Sequence, residues 1–524
     1  MAEESLPAHV VEDQSEVFAF LADPASHGVD DVKRIDTHGA AVFLAGPNVY
    51  KVKRAVKFPF MDYSTLERRK AACEAEIAVN RADAPDIYLG AVPITRDAAG
   101  FAIGGSGEVM EWAVHMRRFD ESLTLDHVAE RGGLTPEILA RLVTAILASH
   151  ARAPRRQAGP AIASLRSYLD QNAEAYAESP GLYPPARAAA LTARARERLE
   201  AVAPLMARRG EAGFVRRCHG DLHLRNLVLV DGAPTLFDAI EFDDAIATGD
   251  VLYDLAYLLM DLWEGGLKRE ASLVLNRYLW GAPPGEGAAQ IDGLATLPIF
   301  LSIRASIRSK VIAAALPHLA GAEREARTAE ARRYFAAAED FLEEAPPRLL
   351  AVGGLSGSGK TTISAALAPH IGHAPGAVHL RSDIERKRLL GAAETQRLCE
   401  DAYRPEVTEK VYASLRDKAA RALAAGASVV VDAVHAKAAE RGAIEAVAKS
   451  AGVPFSGLWL KAPVETLVER VKTRKADASD ATPDVVLRQT GYETGDIAWP
   501  RLQAEGSVEA CAKKALALLG GEEA

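Results

Sequence analysis

The stretch that most constrains this chain is Gly354-Leu355-Ser356-Gly357-Ser358-Gly359-Lys360-Thr361. It reads G-x-x-x-x-G-K-T, the pattern of a phosphate-binding P-loop. Such a loop needs a buried strand before it and a helix after it. Residues 348–352 are a short apolar run that suits a parallel strand, and 362–368 suit a helix. The glycines let backbone N–H groups turn inward around phosphate oxygens, and the helix N-terminus adds a favourable dipole. Lys360 would reach the β- and γ-phosphates, and the Thr361 hydroxyl would sit on Mg²⁺. Gly354, Ser356, Gly357, Ser358, Gly359 and Thr362 complete the expected cradle. The expected cofactors are ATP and Mg²⁺.

The chain has 524 residues, too many for one ordinary domain, so two or three are expected. Its 49% hydrophobic and 25% charged residues are globular rather than disordered values. A net charge of -9 argues against a general nucleic-acid binder. Cys73, Cys218, Cys399 and Cys511 are scattered without a C-x-x-C pair, which fits a reducing compartment and gives no zinc signal. The acidic N-terminus lacks the regions of a signal peptide, and no run approaches the roughly 18 apolar residues of a membrane span. The expectation is a cytoplasmic protein with small-molecule substrates and no membrane segment. The sequence leaves the oligomeric state open.

Residues 15–22 read as a helix. Two alternating runs, 40–45 and 49–54, flank the turn Gly46-Pro47-Asn48 and read as a β-hairpin. A charged helix (66–82) and strands at 88–94 and 109–118 complete a small β-rich lobe, about 30–120. Helical patterns follow at 135–151 and 161–209, the latter with breaks near Pro180 and Pro184-Pro185. Residues 214–244 read strand–loop–strand–turn, and 246–263, 271–280, 297–319 and 323–344 read as helices. Ala345-Pro346-Pro347 is the best boundary, a proline pair between a helix and a new buried strand. Beyond it, apolar runs at 377–380, 428–434 and 457–460 each precede a helical segment. That alternation predicts an α/β domain with a mainly parallel sheet.

The first chemical cluster is His219-Gly220-Asp221-Leu222-His223-Leu224-Arg225-Asn226, followed by Asp238-Ala239-Ile240-Glu241-Phe242-Asp243-Asp244. Phosphoryl transfer explains the layout. Asp221 would orient the attacking hydroxyl, while Asn226 and Asp238 would hold Mg²⁺. A metal-bound hydrolase centre, a hydrogen-bonded turn and an inactive kinase fold are the other readings. The pattern H-G-D-x-H-x-x-N with a later Asp resembles the aminoglycoside phosphotransferase and choline kinase-like family. The resemblance covers roughly residues 30 to 340 and implies a β-lobe and a helical lobe with ATP between them. It also implies a strand lysine paired with a helix glutamate that together grip the phosphates. Lys51 and Lys53 share one face of a strand and either could serve, with Lys51 preferred; Glu76 is preferred over Glu74. The glycine-rich cover is poor, with only Gly39 in His38-Gly39-Ala40. No protein-kinase activation segment follows Asp238, which points to a small-molecule acceptor. Arg304 and Arg308 lie one helical turn apart, either as a solvated or ion-paired face or as a clamp for an anion.

The second cluster surrounds the P-loop. Asp432 ends an apolar strand, where a carboxylate suits Mg²⁺ or its water shell. Asp383 follows the strand at 378–380, on the sheet edge where ligands bind, and could be an acceptor base or a helix cap. Arg441, Arg470 and Arg474 are suited to spread phosphate charge, and 472–481 is polar enough for a mobile lid. The set resembles P-loop kinases related to polynucleotide kinase, zeta toxin and chloramphenicol phosphotransferase. By that resemblance Asp383 is the acceptor-activating base and Arg474 a lid arginine.

The expected architecture is an α+β bilobal kinase-like domain over 1–345, with its helical lobe at about 121–345. An α/β P-loop NTPase domain over 346–524 follows. The expected function is a bifunctional ATP-dependent phosphotransferase with two Mg-ATP sites and small-molecule hydroxyl acceptors. The alternatives are an N-terminal kinase gated by an ATP-hydrolysing switch domain, or a nucleic-acid end kinase.

Overall fold

A computed structural model describes residues 10–37, 39–58, 61–473 and 477–520. The chain divides into two compact units, Met1–Ser164 with Gly210–Leu258, and Leu165–Arg209 with Leu259–Ala524. No helix among the described residues is long and apolar enough to cross a membrane.

The first unit is built on an antiparallel sheet. Its strands are β1 (Val32–Asp36), β2 (Ala40–Ala45) and β3 (Asn48–Lys53). A small pair, β4 (Lys57–Phe58) and β5 (Met61–Asp62), stands apart. The sheet resumes with β6 (Tyr88–Asp97), β7 (Gly100–Ile103) and β8 (Glu108–Arg117), in the order β1-β2-β3-β8-β6-β7. The expected hairpin is β2–β3, with Val42 opposite Lys51 and Ala40 opposite Lys53. Gly46 takes a positive φ in its turn, where a Cβ would also stand 2.9 Å from Val29. The helix Leu66–Asn80 starts at Thr65, whose hydroxyl accepts from the Arg68 N–H. It buries Arg69, Ala72, Cys73, Glu76 and Asn80, the spacing of one helical face.

Two short pairings then shape the catalytic-type loop. β9 (Val215–Arg217) precedes it, and β10 (Leu227–Val230) pairs with β11 (Ala233–Leu236) after it. β12 (Thr248–Asp250) pairs back onto β9. The expected helix at 246–263 is therefore divided. Asp250 accepts from the Leu252 N–H and starts a new helix at Val251–Glu264.

The second unit contains the helices Pro185–Glu211, Lys268–Gly281, Leu297–Ala315 and Gly321–Asp340. Tyr176, Tyr183 and Phe335 cluster among them. Arg304 is buried and Arg308 lies over the Tyr334 ring, so neither forms the solvated face considered from sequence. The same unit holds the parallel sheet of β13 (Leu349–Gly354), β14 (Val378–Arg381), β15 (Val429–Asp432), β16 (Phe455–Lys461) and β17 (Arg501–Gln503). Its order is β14-β15-β13-β16-β17. The helices Lys360–Leu367 and Val508–Leu518 pack on this sheet through Ile363, Leu367, Ala512 and Ala515.

Candidate active sites

In the first unit, β3 presents Lys51 and Lys53 toward Glu76, which has no exposed surface. Lys51 Nζ donates to Glu76 at 2.9 Å and to Asp238 at 2.8 Å. Lys53 Nζ donates to the other Glu76 oxygen at 2.5 Å and also to Glu241. The two lysines left open by sequence thus share one glutamate, and only Lys51 also reaches Asp238. Glu74, in contrast, is exposed beside Lys70. Burial alone would raise the Glu76 pKa, but Lys51 and Lys53 reverse that and hold it below the usual glutamate range. Burial opposes the Lys51 charge, yet Asp238, Glu76 and Glu241 outweigh it and raise its pKa well above the ordinary value.

The loop after β9 is fixed by its own polar groups. Asn226 Nδ2 donates to the Asp221 carboxylate at 2.8 Å, and His223 Nε2 lies 3.2 Å from the same oxygen. Gly220 takes a positive φ, and its N–H donates to Asp254 at 2.8 Å. His150 Nε2 lies 3.1 Å from the other oxygen of Asp254. The loop also reaches the next hairpin, since His219 Nε2 lies 2.9 Å from the Phe237 carbonyl. Asp238 is a non-glycine residue at φ +60. Its N–H donates to the Tyr88 hydroxyl at 3.1 Å, while Asn80 clamps the N–H and carbonyl of Ala239. Strain of that kind persists only where neighbours over-determine it. Asp238 and Asn226 offer oxygen ligands of the type Mg²⁺ prefers.

In the second unit the P-loop lies between β13 and the helix Lys360–Leu367. Gly357 is held at φ +81 against Leu467, where a Cβ would stand 2.5 Å from the carbonyl oxygen. Ser358 Oγ is buried without a hydrogen-bond partner among the described residues, as a loop built to take a ligand would leave it. Lys360 Nζ donates to the Leu355 carbonyl at 3.0 Å. Thr361 Oγ1 donates to Asp432 at 2.6 Å, which brings together the two oxygen groups expected at Mg²⁺. Burial opposes ionisation of Asp432, but His379, Lys360 and Arg381 hold its pKa down to about 2. Asp383 sits in the first turn of Ser382–Leu389 and does not cap it; the cap position is Arg381. Burial raises the Asp383 pKa, with Asp432 adding to the effect, and Arg381 and Lys360 only partly offset it.

Residues 49–288 match the model of the phosphotransferase enzyme family, and residues 349–493 match that of an AAA domain. The chain is an ATP-dependent kinase with a phosphotransferase-family domain and a P-loop kinase domain. Uncharacterized proteins of Mycobacterium tuberculosis and Mycobacterium bovis are 28% identical over 92% of this chain and 96% of their own length. A choline/ethanolamine kinase family protein from Mesorhizobium loti is 15% identical over 59% of this chain and 92% of its own, with a TM-score of 0.31. A gluconokinase from Sinorhizobium meliloti is 22% identical over 34% of this chain and 94% of its own, with a TM-score of 0.24.

The P-loop domain redistributes the arginines expected from sequence. Arg474 lies outside the described residues. Arg441 is buried and donates to the carbonyls of His435, Ala436, Thr494 and Asp496, so it clamps main chain rather than facing phosphate. Arg470 stands beside the loop, 3.8 Å from where a Cβ on Gly359 would lie. The described end of the expected lid is tied down. Asp477 pairs with Arg381 at 2.8 Å, and Asp480 accepts from Lys387 at 3.2 Å and from the Tyr403 hydroxyl at 2.8 Å.

Several site residues gave little sign of themselves in the sequence. Gln489 accepts from the Ser356 N–H of the P-loop at 2.7 Å across 133 positions. Arg386 is buried, donates to the Ala402 carbonyl at 2.6 Å and lies over the Tyr403 ring. His435, at φ +50, has both ring nitrogens buried without a hydrogen-bond partner among the described residues. In the phosphotransferase-family domain, Asp254 stood within an apolar run early in its helix, a signal that could have been read as a buried anchor.

Proposed function

We propose that the chain is a bifunctional phosphotransferase with one Mg-ATP site in each kinase domain and small-molecule hydroxyl groups as acceptors. The observation that carries this reading is a repeated constellation. In each unit a lysine, a carboxylate suited to metal and a separate carboxylate suited to accept a proton lie on neighbouring loops and strand ends. The activities belong to 1–345 and 346–524.

In the first site Asp221 takes the proton of the acceptor hydroxyl, and its hydrogen bond from Asn226 aims it. Asn226 and Asp238 would hold Mg²⁺, and Lys51, braced by Glu76, meets the nucleotide phosphates. In the second, Lys360, Thr361 and Asp432 would hold Mg-ATP, with the backbone of 354–362 around the phosphates. Asp383 takes the acceptor proton, and its raised pKa supports that role. Arg470 and Arg474 spread charge at the phosphates. Mg²⁺, when bound, supplies neutralisation of the phosphate charge.

The test is ADP release across sugars, sugar acids, amino sugars and nucleosides, with Asp221→Asn and Lys360→Ala beside wild type. An acceptor whose signal vanishes in one variant assigns its reaction to that domain. If nothing stimulates release above a background that only Lys360→Ala removes, a regulatory ATPase replaces the second kinase.

A further inference from the structure

The strand β14 is the edge of the P-loop sheet, with β15 on one side and, among the described residues, no strand on the other. Its open side is met by the helix Lys268–Gly281, from well before the Pro346-Pro347 boundary. Asn276, 3% exposed, does what a neighbouring strand would do. Its Oδ1 accepts from the His379 N–H at 2.6 Å, and its Nδ2 donates to the Ala377 carbonyl at 3.1 Å. One turn later, Trp280 Nε1 donates to the His379 carbonyl at 2.8 Å. The outward main-chain groups of β14 are thus met by two side chains of one helix.

The engagement runs both ways. Arg388 donates to the carbonyls of Leu279 and Trp280, at 2.9 Å each, and so satisfies the C-terminal end of that helix. Arg277 pairs with Glu394 at 2.9 Å. The Trp280 ring stands edge-on to the His379 imidazole at 5.6 Å, and the Arg381 guanidinium lies 5.4 Å from the same indole. His379 in turn reaches the site. Its Nε2 lies 3.6 Å from Asp432 Oδ2, the oxygen that accepts from the Thr361 hydroxyl at 2.6 Å.

We infer that the helix Lys268–Gly281 is a working part of the P-loop site: Asn276 and Trp280 fix His379, and His379 positions Asp432. The P-loop kinase therefore depends on a segment outside 346–524. A carboxylate that ligates a metal is aimed by the groups behind it, and loss of such a group typically costs about 10- to 100-fold in metal affinity. The inference rests on reading Lys360, Thr361 and Asp432 as a Mg-ATP site.

The experiment is calorimetric titration of ATP, with Mg²⁺ and with EDTA, into the full chain carrying Asp238→Ala to silence the first site. Asn276→Leu and His379→Ala are expected to weaken Mg-ATP binding about tenfold and to leave metal-free ATP binding within about twofold. His379→Gln, which keeps a polar group there, restores most of the loss. Trp280→Phe keeps an aromatic ring while removing the donor and part of the indole, so it is the mild variant and is expected to show a smaller loss of the same kind. If folded Trp280→Phe and Asn276→Leu lower the thermal midpoint but change both affinities in parallel or not at all, the helix is only a structural support and the inference fails. Lys360→Ala in the same background separates this from failure of the parent reading. If it leaves ATP binding intact, the P-loop is not the nucleotide site.

Discussion

Glu76 is fully buried and Asp383 half-buried, and their surroundings push the two carboxylates in opposite directions. Two lysines keep Glu76 ionised, so its contribution to stability is present at neutral pH and is lost on strong acidification. Asp383 has a raised pKa, so the folded chain binds its proton more readily than the unfolded chain does. In its ionised form it destabilises the fold. Asp383→Asn should therefore raise the thermal midpoint while abolishing transfer by the P-loop domain; calorimetry and the ADP assay read the two effects. His435 behaves as a buried base. Burial lowers its pKa to about 3 from 6.5, despite the Asp432 charge nearby. Between those values the unfolded chain binds a proton that the folded chain refuses. Stability should fall as pH drops below 6.5, by at most about 1.4 kcal/mol per unit from this group. His435→Asn, a residue that tolerates the positive φ, should flatten that slope in denaturation midpoints taken at two pH values. Asp221 and Asp238 were legible as candidates because a motif carries them at short spacing, and Asp383 and Asp432 because each stands at the end of an apolar strand. It could not separate Lys51 from Lys53, which share one face of β3, and both in fact bond Glu76. Gln489 and His379 act through contacts made across long separations, which no local pattern records.

At the scale of elements, long periodic patterns were legible and short edge pieces were not. The β2–β3 hairpin, the helix Leu66–Asn80 and the strand–loop–helix around Lys360 follow from alternation, helical spacing and glycine placement. β1, β7 and β17 are short pieces beside stronger patterns, and their pairing is set by tertiary context. β12 was hidden because Thr248-Gly249-Asp250 runs directly into an apolar helix. Each of the two catalytic-type loops holds a glycine at positive φ where a side chain would meet main chain. Gly220 lies at φ +83, with Ala247 main chain 3.1 Å from a Cβ there, and Gly357 lies at φ +81 against Leu467. Gly220→Ala should abolish transfer by the phosphotransferase-family domain while nucleotide binding at the P-loop persists. Gly357→Ala should do the reverse. ADP release and nucleotide titration, run on both variants, separate the two loops.

For the whole molecule, the two kinase domains follow one another in sequence, but the second compact unit takes in helices from both sides of Pro346-Pro347. Composition and turn signals marked where an elongated helix ends and β13 begins. They carried no information on which elements pack together, because the contacts of Asn276 and Trp280 are specific and non-periodic. The account's central claim is that one chain holds two separate nucleotide sites. It is tested most directly by counting them, with calorimetric titration of a Mg-bound, non-hydrolysable ATP analogue into wild type, Asp238→Ala, Lys360→Ala and the double variant. The account expects two sites per chain in wild type, one in each single variant and none in the double. A single site in wild type, or the loss of all binding in either single variant, would contradict it.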